Sequence, residues 1–196
     1  MKKSEIKLFF IFALLMATTI AISNFLVQFP LNHFGLETIL TYGAFTYPVT
    51  FLITDLSNRS LGKISAKKIV YIGFLFGILL TLFFSINFSD LISIRIAIGS
   101  GLAFLTAQIL DVHIFDGLRK KTWFVAPIVS STIGSLVDTF LFFFIAFYNT
   151  GAPWISLAFG DFSVKILMAL LMLIPFRLLL KRIKNFTEYT PKTSSI

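Results

Sequence analysis

Long runs of apolar residues alternate with short polar stretches along the whole chain. An apolar run of about 20 residues is what an α-helix needs to cross the hydrocarbon core of a bilayer. Runs of this kind occupy six stretches: Leu8–Phe29, Ile39–Leu56, Ile69–Phe88, Ile94–Phe115, Phe124–Tyr148 and Phe162–Leu180. The pattern therefore predicts an all-α integral membrane protein, a bundle of six transmembrane helices.

The composition excludes most other classes of protein. Of the 196 residues, 57% are hydrophobic and only 13% are charged, which is more apolar surface than a soluble domain of this size can bury. There is no cysteine, so disulfides and thiolate metal sites are excluded. The sequence also lacks a phosphate-binding glycine loop and a helical zinc motif. No cofactor and no metal are predicted.

The positive charge lies on one side of the predicted membrane. All but two of the 17 basic residues fall at the chain ends or in the second and fourth connections, which places both termini in the cytoplasm by the positive-inside rule. The net charge of +8 therefore suits the lipid bilayer of the inner membrane, not nucleic acid. Residues 1–184 form one predicted transmembrane domain, and residues 185–196 a polar cytoplasmic tail.

Several polar side chains lie inside the predicted spans, where each costs several kcal/mol unless it meets a partner or water. Asp138 lies about 14 residues into the fifth span, roughly 21 Å along the helix axis, so its carboxylate is too deep to reach the interface. Ser131, Ser135 and Asp138 follow at steps of four and three, so they form a polar stripe on one helix face. Such residues predict a cavity for a small polar solute.

The other spans contribute polar groups of the same kind. In the second span, the Tyr47-Pro48 pair predicts a broken helix, because proline removes a backbone donor and restricts the residue before it. The predicted substrate-binding set is Asn24, Gln28, Thr46, Tyr47, Asp55, Gln108, Asp111, Ser131 and Asp138. Arg95 and Lys165, at the outer ends of the fourth and sixth spans, are predicted to guard the mouth or to neutralise Asp138.

Each of these residues also has a purely structural interpretation. Asp55 and Asp111 could be solvated acids near the inner surface, paired with Arg59 and Arg119. Arg95 could anchor the outer interface, and Pro48 could only kink its helix. Asp161 and Lys165, four residues apart, are interpreted as a helix cap and an ion pair.

Four stretches of the sequence resemble the queuosine precursor transporters of the vitamin uptake transporter family. They occur in the family's order: ISNFLVQFP at 22–30, TYGAFTYPVTFLITDLSNR at 41–59, AQILDVHIFDGLR at 107–119 and SLVDTFLFFFIAF at 135–147. The resemblance continues to DFSVKILM at 161–168, although the loop between the third and fourth spans is shorter than it can be in the family.

The resemblance implies uptake of the 7-deazaguanine bases preQ0 and preQ1, which bacteria salvage to make queuosine in transfer RNA. A carboxylate, Asp138 or Asp111, would then accept the ring N–H and amino donors of the guanine-like edge. Two other functions stay open at this point. The chain could be the substrate-binding membrane subunit of an importer driven by a separate ATPase, or a membrane enzyme that acts on a lipid or peptide; we predict that it is not an enzyme.

Overall fold

The computed structural model describes residues 3–26, 29, 31, 40–85 and 91–188, with side chains inside the helices except at 80–85, 92–93 and 184–188. The helices in these ranges are α1 (Lys3–Leu26), α2 (Gly43–Thr46), α3 (Val49–Leu61), α4 (Lys63–Ser85), α5 (Leu91–Leu118), α6 (Val125–Phe147) and α7 (Trp154–Glu188). Four of them, α1, α5, α6 and α7, are long and apolar enough to cross a membrane. The predicted all-α, multi-pass membrane class is confirmed, whereas the count of six spans and the cytoplasmic termini stay predictions.

The predicted second span is divided between α2 and α3. Tyr47 and Pro48, which lie between these helices, keep right-handed helical dihedral angles, with φ −58° and ψ −40° at Tyr47 and φ −60° and ψ −18° at Pro48. A full break at Pro48 therefore stays a prediction. The end of α3 is sharper, because Gly62 has a φ of 84°, a left-handed conformation that favours glycine and stops helices.

Helices α1 and α4 run parallel and approach closely through two glycines. A Cβ atom added at Gly73 would lie 2.3 Å from Cγ of Met16, and one added at Gly77 would lie 2.5 Å from Cγ2 of Ile20. No side chain fits in that space, so this pair of small residues lets the two helices pack closely.

Helices α5 and α6 run antiparallel and also pack through glycines. A Cβ atom at Gly99 would lie 3.3 Å from Cβ of Ile145, and one at Gly134 would lie 3.4 Å from the carbonyl oxygen of Ala107. Helix α7 then runs antiparallel to α6, as shown by the ring of Phe144 near the end of α6, whose centroid lies 5.8 Å from that of Trp154 at the start of α7.

The basic residues of different connections gather at one end of the bundle. Arg59 at the end of α3 donates to the carbonyl oxygen of Arg119, just beyond the end of α5. Nearby, Nζ of Lys63 lies 3.9 Å from a carboxylate oxygen of Asp116. The guanidinium of Arg177 stacks 4.8 Å from the ring centre of Trp123. This clustering agrees with the predicted sidedness of the charges, although the orientation in the membrane stays a prediction.

Arg95 lies at the opposite end of the bundle. Its Nε donates to the carbonyl oxygen of Ile145 at 3.0 Å, and its Nη2 donates to that of Tyr148 at 2.9 Å. The side chain therefore joins the start of α5 to the last turn of α6, where the free carbonyls of a helix end need donors.

Replacement of Gly73 by alanine is expected to lower the unfolding temperature of the purified protein in detergent, because the new methyl group overlaps Met16. Gly117→Ala is the matched control, since a Cβ atom there meets nothing within 4 Å and alanine favours the helix by about 1 kcal/mol. Equal unfolding temperatures for the two variants would contradict the close packing of α1 on α4.

Candidate functional site

A buried network of hydrogen bonds joins α3 to α5. The hydroxyl of Thr54 donates to Oε1 of Gln108, and Nε2 of Gln108 donates to Oγ1 of Thr50 at 2.9 Å. One turn further along, Nδ2 of Asn58 donates to the carbonyl oxygen of Val112 at 2.9 Å. The spacing of four residues puts the three α3 side chains on one face, and both the oxygen and the nitrogen of the Gln108 amide are hydrogen-bonded to that face.

Two carboxyl groups meet beside this network, Asp55 of α3 and Asp111 of α5. The hydroxyls of Ser130 and Ser131 in α6 each donate to a different oxygen of Asp55 at 3.3 Å. The carboxyl of Asp111 lies within hydrogen-bonding range of that of Asp55. Asp111 is completely buried, and neither of its oxygens has a hydrogen-bond donor among the described residues.

A second charged group joins α6 to α7. Nζ of Lys165 lies 2.8 Å from Asp138 and 2.6 Å from Asp161, and it donates to the hydroxyl of Thr139 at 3.0 Å. The same ammonium lies 5.6 Å from the ring centre of Tyr47. Two carboxyl groups therefore share one buried ammonium.

A small cavity lies between these two groups. Its volume is about 10 Å³, which is room for about one water molecule. It is lined by α3, α6 and α7 and by the proline before α3: Pro48, Phe51, Leu52, Asp55, Pro127, Ser131, Ser135, Lys165, Ala169, Met172, Leu173 and Phe176. A mostly apolar wall with a few convergent polar groups is typical of a small-molecule site.

Gly134 of α6 makes room for one wall of the cavity. A Cβ atom at this position would lie 2.7 Å from Cε1 of Phe51 and 3.5 Å from Cβ of Asp111. The missing side chain therefore lets the Phe51 ring and the carboxyl-bearing face of α5 both approach α6. The phenyl ring stands in the cavity wall next to Asp55.

The structure brings together most of the acids and hydroxyls that the sequence singled out. Asp55, Ser131 and Lys165 line the cavity, and Asp111 and Asp138 lie directly behind Asp55 and Lys165. The predicted polar stripe of α6 faces the interior, since its three members are buried. The expected charge partner of Asp138 is thus Lys165.

Among the described residues, the other members of the predicted set do not line the cavity. Thr46 donates to the carbonyl oxygen of Gly43 at 3.2 Å, Asn24 is half-buried in the last turn of α1, and Gln28 lies outside the described residues. The ring of Tyr47 packs against Phe104, with their centroids 5.6 Å apart.

Several residues around the site were missing from the predicted set. These are Thr50, Thr54, Asn58, Ser130 and Thr139, together with the cavity-lining Phe51 and Phe176; Ser135 was predicted only as part of the polar stripe. A spacing of four between Thr50, Thr54 and Asn58 was a usable signal, because it marks one polar face of a helix in an otherwise apolar segment.

Comparison with known proteins identifies the family. Residues 41–180 match the family model described as "Putative vitamin uptake transporter", and this range contains the cavity and both charged groups. The chain belongs to this family. The family is one of transporters, so the prediction of a transporter rather than an enzyme is confirmed, and so is the predicted resemblance.

Individual relatives extend the match over most of the chain. A "Probable queuosine precursor transporter" from Haemophilus influenzae is 36% identical over 187 residues, which cover 80% of this chain and 79% of that protein. The "Queuosine precursor transporter" of Escherichia coli is 34% identical over 202 residues, covering 91% of this chain and 89% of that protein. A "Probable queuosine precursor transporter" from Bacillus subtilis is 29% identical over 165 residues, covering 71% of this chain and 70% of that protein. No solved structure matches the chain.

Replacement of Lys165 by methionine is expected to lower the stability of the protein strongly, because it leaves the buried Asp138 and the half-buried Asp161 without a cation. Breaking a buried ion pair in this way costs roughly 3–5 kcal/mol. The measurement is thermal unfolding in detergent, with Lys68→Met, at an exposed position of α4, as the control.

The double variant Asp138→Asn, Lys165→Met tests whether the charges of these two residues stabilise the protein as a pair. Its loss of stability is expected to be smaller than the sum of the two single losses, because the second change removes a charge that the first left unpaired. Additive losses would contradict the ion pair between α6 and α7.

Proposed function

We propose that the protein imports queuosine precursors, the 7-deazaguanine bases preQ0 and preQ1, across the inner membrane for queuosine salvage. The observation that carries the proposal is the polar cavity inside the bundle, with Asp55 and Lys165 in its wall. The names of the relatives in Haemophilus influenzae and Escherichia coli support the same class of substrate.

The chemistry of the cavity fits the guanine-like edge of such a base. That edge presents a ring N–H and an amino group side by side, which one carboxylate accepts as a pair of charge-assisted hydrogen bonds. Asp55 offers such a carboxylate at the cavity surface, held in place by two serine hydroxyls. We assign the guanine edge to Asp55, with Asp111 behind it, because Asp138 is engaged by Lys165.

Other groups in the wall suit the rest of the base. The hydroxyls of Ser131 and Ser135 are donors for the carbonyl oxygen of the ring, and Phe51 and Phe176 offer aromatic surfaces for its flat face. A cavity of about 10 Å³ is far smaller than the roughly 300 Å³ or more of typical ligand sites. The described conformation is therefore closed around the site.

The cavity can admit a base only if a helix moves, and α7 is the candidate for this movement. It contributes Lys165, Ala169, Met172, Leu173 and Phe176 to the cavity wall, so its displacement would enlarge the space between α3 and α6. Movement of helices around a central site is the usual route of alternating access. In this proposal the Tyr47-Pro48 pair acts as the hinge of the second span, both termini lie in the cytoplasm, and Arg95 stays at the outer mouth.

The residues of the predicted set that do not line the cavity form a supporting layer in this proposal. Gln108 fixes α5 to α3, Tyr47 covers the ammonium of Lys165, and Thr46 lies one turn before α3. Asn24 stays a predicted substrate-binding residue in the last turn of α1, and Gln28, outside the described residues, stays one as well. No ATPase is needed for this mechanism.

Uptake of a labelled base by a strain that cannot synthesise it tests the assignment. Asp55→Asn is expected to reduce uptake at least about tenfold, because the loss of a hydrogen bond to a charged group costs about 1.5–3 kcal/mol. Asp116→Asn is the control, since Asp116 pairs with Arg119 and Lys63 at the basic end of the bundle. Normal uptake by Asp55→Asn at equal expression would contradict the proposed site.

The purified chain, reconstituted alone in lipid vesicles, is expected to equilibrate the labelled base across the membrane. Unlabelled base should compete, and chemically unchanged base should be recovered from inside. Transport that appears only after an ATPase is added would favour the importer-subunit alternative.

A further inference from the structure

The carboxyl of Asp111 is the most unusual group in the described part of the chain. It is completely buried, and neither of its oxygens has a hydrogen-bond donor there. Its polar neighbours are the carboxyl of Asp55 and the hydroxyls of Ser130 and Ser131. These hydroxyls lie near both carboxyls and donate to Asp55 at 3.3 Å. Two carboxyl groups therefore lie side by side with only two hydroxyls as donors near them among the described residues.

Among the described residues, no cation forms an ion pair with either carboxyl. Lys165 of α7 lines the same cavity as Asp55, but its ammonium binds Asp138 and Asp161. Arg59 lies one helical turn beyond Asp55 and attracts it at longer range, but its guanidinium donates to a backbone carbonyl. From α6 the pair meets only hydroxyls, and α1 and α4 bring no charged group that acts on either carboxyl within the described residues.

One proton shared between the two carboxyls accounts for both the missing hydrogen bond and the missing countercharge. It supplies the missing hydrogen bond, and it removes one of two negative charges that would otherwise repel each other in a water-poor interior. Acidic groups inside membrane spans serve as proton relays in other transporters for this physical reason.

We propose that Asp55 and Asp111 together bind one proton that crosses the membrane with the base. This inference rests on the proposed function. Asp55 lines the cavity, whereas Asp111 lies behind it, so the two carboxyls have different tasks: Asp111 keeps the proton, and Asp55 accepts the donors of the base.

The arrangement couples the two ligands by charge. With a proton on the pair, one negative charge remains, and Asp55 presents it to the base. Without the proton, a second charge lies directly behind Asp55, which opposes closure of the helices around it. Each ligand therefore favours the binding of the other, and this linkage is reciprocal.

The test uses lipid vesicles whose membranes contain only the purified chain. Labelled 7-cyano-7-deazaguanine, which is uncharged, is added outside the vesicles. With the outside more acidic than the inside, the wild-type protein is expected to accumulate base above its outside concentration. Addition of base should also carry protons inward, seen as acidification by a trapped pH-sensitive dye. Base entry without proton entry would overturn the proposal.

Two further experiments test whether the coupled ion is a proton and whether Asp111 is needed for the coupling. A sodium gradient without a pH gradient is expected to give no accumulation, and accumulation driven by sodium would overturn the assignment of a proton. In Asp111→Asn, whatever base enters is expected to stop at equal concentrations inside and outside. Asp116→Asn, on the same helix, should accumulate base as the wild type does.

The outcomes separate this inference from the proposed function. If wild-type vesicles exchange labelled for unlabelled base but no pH gradient concentrates it, the protein is a transporter and the proton proposal is wrong. If no exchange occurs at all, the proposed function fails first and the proposal fails with it. Accumulation by Asp111→Asn equal to the wild type would overturn the role of Asp111 even if protons are carried.

Discussion

The arrangement of α3, α5, α6 and α7 depends on how carboxyl groups are accommodated away from water. A buried carboxylate needs a cation, hydrogen-bond donors or a proton, because its desolvation is otherwise too costly. The buried acids of this bundle differ in which of these they have. Asp138 takes the ammonium of Lys165, Asp55 takes two serine hydroxyls, and Asp111 faces Asp55 with no donor of its own. Because the partners come from different helices, satisfying the acids also fixes the helices around one small cavity.

Close packing of the helices explains why the cavity is small. Glycines let α1 meet α4 and let α5 meet α6 at short distance, so this part of the bundle packs tightly and leaves only about 10 Å³ at its polar centre. Helix α7 is held differently, by a charged cluster around Lys165 that lies at the edge of the cavity. An interaction of that kind can exchange partners with a polar solute, whereas interlocked glycine contacts cannot. In the proposed mechanism, α7 is therefore the helix that moves.

Hydropathy and depth within a span are local properties of a sequence. They were therefore enough to predict the membrane class and to single out most of the buried acids as candidate site residues. The depth of Asp138 implied a partner, and Lys165 was among those considered. Asp55 belonged to the predicted substrate-binding set, but its burial was not predictable, because a carboxylate near a span end with Arg59 one turn later also fits a solvated surface pair. Whether Asp111 has a donor depends on where the Ser130 and Ser131 hydroxyls point, which only the packed helices decide. Thr50 and Thr54 were missed because threonines are common in apolar helices and become a network only opposite Gln108.

The most direct test of this account is an experimental structure of the protein with a 7-deazaguanine base bound. The account predicts that the base lies between α3, α6 and α7, with its ring N–H and amino group on the Asp55 carboxylate and Asp111 directly behind. It also predicts that α7 is displaced outward from its position in the closed bundle. A base bound elsewhere, or bound in this region with Asp55 turned away from it, would contradict the central claim.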